Sequence, residues 1–232
     1  MSQKRDVKYQ LKIVLNLIVL ILYLLIPIFA SGDWFWLNGW VYFFTNLVFF
    51  VISRSIAIRV NPDIIRERVT ASSKKDTKGW DKWLMPAMVV FPALISLVAG
   101  LNHRFGWQPS VQPELAILGL IIYVLVESFA TWAMVVNTFF SSQVRIQTDR
   151  GHQVISDGPY KYIRHPGYLS GLLAMFSGAL MLGSFWALVP ALIGTPFFFL
   201  RTSLEDKTLQ TELPGYEEYA QRVHYRLFPG IW

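Results

Sequence analysis

Two polar stretches of this chain carry the residue types from which a reactive site is built. The first runs from Val144-Arg145-Ile146-Gln147, through Gly151-His152-Gln153-Val154-Ile155-Ser156-Asp157-Gly158-Pro159-Tyr160, to Arg164-His165-Pro166-Gly167-Tyr168. The second begins Arg201-Thr202-Ser203-Leu204-Glu205-Asp206. Gly158-Pro159 is a turn signal. Pro166 suits the first position of a helix, where a missing N–H costs nothing. A helix starting there points unpaired N–H groups and a positive dipole end at its surroundings, which favours an anionic group. Arg201 and Glu205, spaced i, i+4, share one helix face. A guanidinium can dock a carboxylate through two N–H donors. Glu205 could take cofactor donors or favour a cation. Together the set suits a zwitterionic, water-soluble cofactor. Each piece also has a plain structural reading. The first is a well-capped helix with Arg164 and Tyr160 snorkelling to an interface. The second is a surface ion pair between Arg201 and Glu205, worth under about 1 kcal/mol.

The chain between the two stretches decides whether they meet. His165–Leu200 holds 36 residues without a formal charge. A membrane helix takes about 20 apolar residues, so this run is too long for one span and just long enough for two short ones. Gly183-Ser184 lies near its middle and supplies a turn. The expectation is a helical hairpin over 165–200, which returns both polar stretches to the same membrane face.

The rest of the sequence agrees with a membrane setting. Of 232 residues 53% are hydrophobic and only 16% charged, against about 25% charged in soluble domains. Ile13–Gly32, Trp34–Ser53 and Trp83–His103 carry no charge, and Glu114–Asn137 carries only Glu114 and Glu127. The expected fold is all-α: a polytopic integral membrane helical bundle of about six transmembrane helices, four spans plus the C-terminal hairpin. It forms a single membrane domain, 1–232. Residues 1–137 supply four spans and a basic loop at 54–82, and residues 138–232 the cofactor-binding catalytic region. The first span follows Lys4, Arg5, Lys8 and Lys12, like a signal peptide, but its apolar run exceeds the usual ~7–15 residues, so an uncleaved anchor is expected. With both termini cytoplasmic, 20 of the 21 Lys and Arg residues fall inside and only Arg104 outside, a strong positive-inside asymmetry. The net charge of +6 therefore needs no nucleic-acid partner. There is no cysteine, and the four histidines are scattered without metal-ligand spacing, so no metal is expected. Trp34, Trp36, Trp40, Trp80, Trp83 and Trp107 fall near the expected interfaces, as belt residues do. Glu127 sits near the centre of the fourth span, where an ionised carboxylate costs roughly 2.5–3.5 kcal/mol. It reads either as lining an acceptor path or as a protonated or hydrogen-bonded packing residue. The tail 213–232 alternates charged and aromatic residues, fitting a segment folded over the site or a plain surface tail.

The pattern Gly-Pro-Tyr-x-x-x-Arg-His-Pro-x-Tyr at 158–168, Arg201-x-x-x-Glu205-Asp206, Pro214-Gly215-Tyr216-x-x-Tyr219 and a Tyr-Arg-x-x-Pro ending resembles the isoprenylcysteine carboxyl methyltransferase family, bacterial and archaeal members included, which is related to phospholipid N-methyltransferases. The resemblance covers residues 137–232, and the basic loop Asn61–Lys82 is similar to that of bacterial members. It implies an integral membrane methyltransferase using S-adenosylmethionine (SAM). The family's cofactor-holding positions land on Gln147, His152, Gln153, Val154, Ile155, Tyr160, His165, Pro166, Gly167, Tyr168 and Glu205. The family arginine that contacts the methyl acceptor lands on Arg201, so Arg201 and Glu205 are the implied catalytic pair. Two departures stand out. The usual Glu-Glu pair is Glu205-Asp206 here, and the spacing from Gln147 to His152 is shorter than in eukaryotic members.

The implied reaction is an in-line methyl transfer at the cytoplasmic face, with an amphipathic acceptor arriving sideways from the bilayer. A carboxylate acceptor, such as that of an isoprenylcysteine-like molecule, needs no general base, whereas an amine or thiol must first lose a proton. No Gly-x-Gly-x-x-Gly follows an expected strand, which excludes a Rossmann methyltransferase. Two other classes share part of the pattern. NADPH-dependent membrane sterol reductases carry a similar Arg-His-Pro motif and Tyr-Arg-x-x-Pro ending, but should also need cationic contacts for a 2′-phosphate. A non-catalytic membrane scaffold would not need polar clusters converging at both hairpin ends.

Overall fold

The computed structural model describes residues 2–60 and 76–232, with side chains from Gln10 onward. The side chains of Lys4, Arg5 and Lys8, and residues 61–75 of the basic loop, lie outside the described residues. The described residues form helices and no strand: α1 (Ser2–Leu24), α2 (Ile26–Ser31), α3 (Leu37–Val60), α4 (Asp81–Leu84), α5 (Ala87–Phe105), α6 (Pro113–Val136), α7 (Pro166–Met181), α8 (Leu188–Glu212) and α9 (Tyr216–Arg222).

Four segments are long and apolar enough to cross a membrane: Gln10–Ser31, Leu37–Val60, Asp81–Phe105 and Pro113–Val136. They coincide with the four apolar stretches of the sequence, but two are not continuous helices. The first breaks at Leu25, ahead of Pro27, and the third at Met85-Pro86. Proline lacks the N–H that continues a helix and crowds the preceding turn. The second break leaves the short helix α4 standing apart from α5.

The fifth apolar stretch forms α7 and α8, connected through Gly183, whose φ of +75° is a conformation that favours glycine. The two helices run antiparallel, Gly171 meeting Phe198 and Gly194 meeting Met175. The second arm does not end at Leu200 as the 165–200 reading has it. It continues to Glu212, because residues 201–212 contain no Gly or Pro and many good helix formers, and Pro214-Gly215 supplies the stop. At 1.5 Å per residue α7 is about 24 Å long and α8 about 37 Å. The extra length carries Arg201, Glu205 and Asp206 on helix past the end of the charge-free run.

Between helices in lipid, close packing replaces the hydrophobic effect, and small residues let backbones approach. A Cβ on Gly119 of α6 would lie 2.6 Å from the backbone N of Met181, and one on Gly100 of α5 would lie 2.4 Å from the carbonyl of Pro27. The core between the helices includes Trp36, Tyr42, Ile95, Tyr123, Leu172, Met175 and Phe198. Polar groups inside it are paired: Tyr123 Oη donates to Asn46 Oδ1 at 2.7 Å, and Asn46 Nδ2 to the Tyr42 carbonyl at 2.8 Å. At the far end, Ser184 in the α7–α8 connection donates to Asn102 Oδ1 at 2.7 Å, anchoring the turn to the end of α5. Trp36 departs from its expected belt role. It is buried and stacks on His103 at 4.7 Å.

The α6–α7 seam gives a direct test. Gly119→Ala forces backbone apart and should destabilise the protein by about 1–3 kcal/mol, the range for overpacking, read as a lower Tm in detergent. An unchanged Tm would contradict so close a seam.

Candidate active site

A cavity of about 360 Å³ opens beside the start of α7 and the polar end of α8. That volume suits a small-molecule site. Three pieces of chain meet there: the segment from Asn137 to His165, the polar end of α8, and the tail with α9. Asp206 holds them together. Its carboxylate has no exposed surface. Arg164 grips it with Nε at 2.7 Å from Oδ1 and Nη2 at 2.9 Å from Oδ2. His165 Nε2 lies 3.1 Å from Oδ1, Arg226 Nε donates to Oδ2 at 2.8 Å, and Gln210 and Tyr216 Oη add further donors. Burial pulls this carboxyl upward, but the hydrogen bonds from His165, Arg164 and Arg226 outweigh it and hold it well below the usual carboxylate range. The same residues pin the tail, since Arg164 N–H and His165 N–H donate to the carbonyls of Tyr225 and Arg226 at 2.9 and 3.0 Å. Residues 213–232 thus fold over the site through buried Tyr216, Tyr219 and Leu227. Arg164 and Tyr160 do not snorkel; both are buried.

A second buried carboxylate, Asp81 of α4, engages Arg201. Nε donates to Oδ1 at 2.7 Å and Nη2 to Oδ2 at 3.2 Å, while Nη2 also donates to the Ser142 carbonyl at 2.8 Å. Arg201 therefore pairs with Asp81 rather than Glu205, and its fork is occupied instead of open for a two-donor dock. Its guanidinium lies over the Tyr168 ring at 5.2 Å. Glu205 takes a short hydrogen bond from Tyr168 Oη and stays half-buried at the cavity wall.

The helix start expected at 165–168 is present, with Pro166 at N1 after His165. Gln147 is buried. Its amide donates to the Phe139 carbonyl at 2.6 Å and accepts from Arg150 at 2.6 Å, so it braces the 139–150 segment. Its backbone N–H donates to His152 Nδ1 at 3.2 Å. Burial, then the charges of Arg145 and Arg150, lower His152 to about 4. The ring is thus neutral near pH 7, with Nδ1 accepting and the proton on Nε2.

Of the sequence-expected positions, Gln147, His152, Gln153, Val154, Ile155, Tyr160, His165, Gly167, Tyr168, Arg201 and Glu205 line this one cavity; Pro166 lies buried behind it. Glu127 lies in α6 away from the cavity lining. Sequence reasoning missed Asp81, which stands between Trp80 and Lys82 in an exposed-looking Gly79-Trp80-Asp81-Lys82 run. It treated Asp206 only as the second carboxylate of a pair. The signal for Asp206 was its place beside an Arg-His dipeptide across an antiparallel hairpin. Met85, Met88, Val89 and Phe198 line the apolar part of the cavity. Among the described residues no three His, Asp or Glu side chains gather as metal ligands do.

Comparison with known proteins adds the following. The sequence model of the isoprenylcysteine carboxyl methyltransferase (ICMT) family matches residues 118–211. The chain is 32% identical over 110 residues to the probable protein-S-isoprenylcysteine O-methyltransferase of Oryza sativa subsp. indica, covering 46% of this chain and 58% of that protein. It is 27% identical over 184 residues to protein-S-isoprenylcysteine O-methyltransferase B of Arabidopsis thaliana, covering 78% and 88%. With the Schizosaccharomyces pombe protein-S-isoprenylcysteine O-methyltransferase it shares 30% over 86 residues, 36% of each chain.

Removing the shared carboxylate leaves buried cations unpaired. Asp206→Ala should destabilise the protein by about 3–5 kcal/mol, the range for breaking a buried ion pair, measured by denaturant unfolding in detergent. A loss no larger than that of an exposed pair would contradict the clustering.

Proposed function

We propose, from the match of the ICMT family model over residues 118–211 and the likeness to plant and yeast relatives, that the chain is a SAM-dependent integral membrane methyltransferase of that family. It methylates an amphipathic, lipid-like acceptor, and the carboxylate of an isoprenylcysteine-like molecule is the acceptor the site suits best. In this reading α7 and α8 complete a set of about six membrane helices. Both termini and the cavity face the cytoplasm, consistent with 20 of 21 basic residues falling on that side. One observation carries the proposal: positions that the family pattern assigns to cofactor and acceptor, although spread from Gln147 to Glu205, line a single cavity.

The residues fit SAM. The start of α7 offers the Gly167 N–H and the positive end of the helix for a carboxylate, Glu205 offers an acceptor for amino or hydroxyl donors, and Val154, Ile155, Leu209 and Leu213 supply apolar wall. His152–Ile155, Tyr160, His165–Tyr168 and Glu205 would hold it. When bound, SAM supplies an electrophilic methyl group on a positively charged sulfur. The protein's task is then positional, since holding reactants in near-attack geometry contributes roughly 7–11 kcal/mol. Arg201 docks the acceptor head group, while Met85, Met88, Val89 and Phe198 receive its apolar part from the bilayer side. The arginines around the cavity argue against a dinucleotide. Arg145 is paired with Asp76 and Asp149, Arg164 with Asp206, and Arg201 with Asp81. These neutralised cations suit a zwitterion better than the 2′-phosphate of NADPH.

Calorimetric titration of the detergent-purified protein with S-adenosylhomocysteine (SAH), with NADPH as control, tests this reading. SAH should bind, and Glu205→Ala should weaken it. Arg201→Ala should keep SAH binding while methyl transfer to a farnesylated N-acetylcysteine falls about 10²–10³-fold, as for loss of one preorganised donor. Binding of NADPH alone would move the assignment to a reductase. Equal loss of binding and turnover in Arg201→Ala would contradict the role given to Arg201.

A further inference from the structure

We propose that Asp81 is a positioning residue that controls how Arg201 meets the acceptor; the inference rests on the methyltransferase reading above. Asp81 has no exposed surface and does not line the cavity, so it acts through its neighbours. It lies 120 residues before Arg201, on the short helix that Pro86 separates from α5. Its carboxylate takes Nε and Nη2 of Arg201, and Oδ2 also accepts from the Val144 N–H at 2.8 Å. The second hydrogen of Nη2 goes to the Ser142 carbonyl. Both two-pronged faces of the guanidinium are thereby used. Only Nη1 makes no hydrogen bond, and no fully buried side-chain nitrogen or oxygen among the described residues lacks a partner. Nη1 is therefore the nitrogen open to the cavity.

This arrangement has a chemical consequence. A free guanidinium grips a carboxylate by both oxygens at once. A guanidinium clamped by Asp81 offers the hydrogens of a single nitrogen, so an acceptor carboxylate docks by one oxygen and keeps the other untied and nucleophilic. The Asp81 charge also offsets that of Arg201, which limits how deeply the ground-state anion is stabilised. Such stabilisation, shared equally by ground and transition states, does not speed the chemical step. Tyr168 beneath the guanidinium and Ser142 at its edge fix the plane in which Nη1 lies.

The test uses Asp81→Asn, Asp81→Glu and the double variant Asp81→Asn/Arg201→Gln in the full chain. Readouts are kcat, KM for farnesylated N-acetylcysteine, Kd for SAH, equilibrium binding of that acceptor with SAH present, and Tm. Asp81→Asn should lower kcat about 10–100-fold, the scale of one charge-assisted hydrogen bond, with SAH binding unchanged and acceptor binding no weaker. Asp81→Glu should recover part of that kcat. In the Arg201→Gln background, Asp81→Asn should have no further effect on kcat. Should Asp81→Asn not fold because Arg201 is left unpaired, Asp81→Glu carries the test, with lowered kcat and unchanged acceptor binding expected. Parallel losses of Tm, SAH binding and acceptor binding, or an equal kcat loss in the Arg201→Gln background, would overturn the proposal, as would wild-type kinetics in both single variants. Failure of the wild type to bind SAH would instead overturn the methyltransferase reading.

Discussion

A carboxylate sealed from solvent must be paired, because burial of a lone charge costs several kcal/mol. Asp206 meets that requirement with Arg164, His165 and Arg226, drawn from the loop before α7 and from the C-terminal tail. Removing any of these partners exposes the others to the same penalty. The requirement thus fixes two distant pieces of chain against the end of α8, and the cavity lies among the three. Such a pair is weak evidence for net stability; here its consequence is geometric.

Asp81 repeats the device on the other side of α8. Asp206 and Arg201 lie on the same helix, and each is buried against a partner of opposite charge from a different region. The helix end is clamped between the tail and the segment 142–144. That clamping is possible because α8 continues past its apolar part to Glu212. A helix ending at Leu200 would leave Arg201, Glu205 and Asp206 in loose chain. The half-buried Glu205 and Arg201 are among the polar residues that line the cavity, beside a wall of Met and Phe side chains.

Much of this was legible in the sequence, and the exceptions have physical reasons. Three charge-free runs and one holding only Glu114 and Glu127 pointed to the four candidate spans, and the 36-residue run with Gly183 near its middle pointed to His165 and Arg201 sharing one end. The motif at 158–168 located the start of α7 at Pro166. Partner choice was not legible. Spacing of i, i+4 placed Arg201 beside Glu205, yet the tertiary partner Asp81 wins because a buried two-pronged ion pair outweighs a local surface pair. Likewise Arg164 read as a snorkelling side chain, since nothing local reveals that Asp206 lies beside it. Trp36 read as a belt residue because its neighbours are, although the break between α2 and α3 turns it inward onto His103. The breaks at Leu25 and Met85-Pro86 were within reach, because the prolines that cause them stand in the sequence.

In the proposed reading the cavity at the base of α7 and α8 binds a SAM-like ligand. Hydrogen exchange of the detergent-solubilised protein, with and without saturating SAH, tests it most directly. Slowed exchange is expected in residues 137–168 and 213–228, with residues 25–36 and 102–112 at the opposite end unaffected. Slowing confined to the opposite end, or no change anywhere, would contradict it.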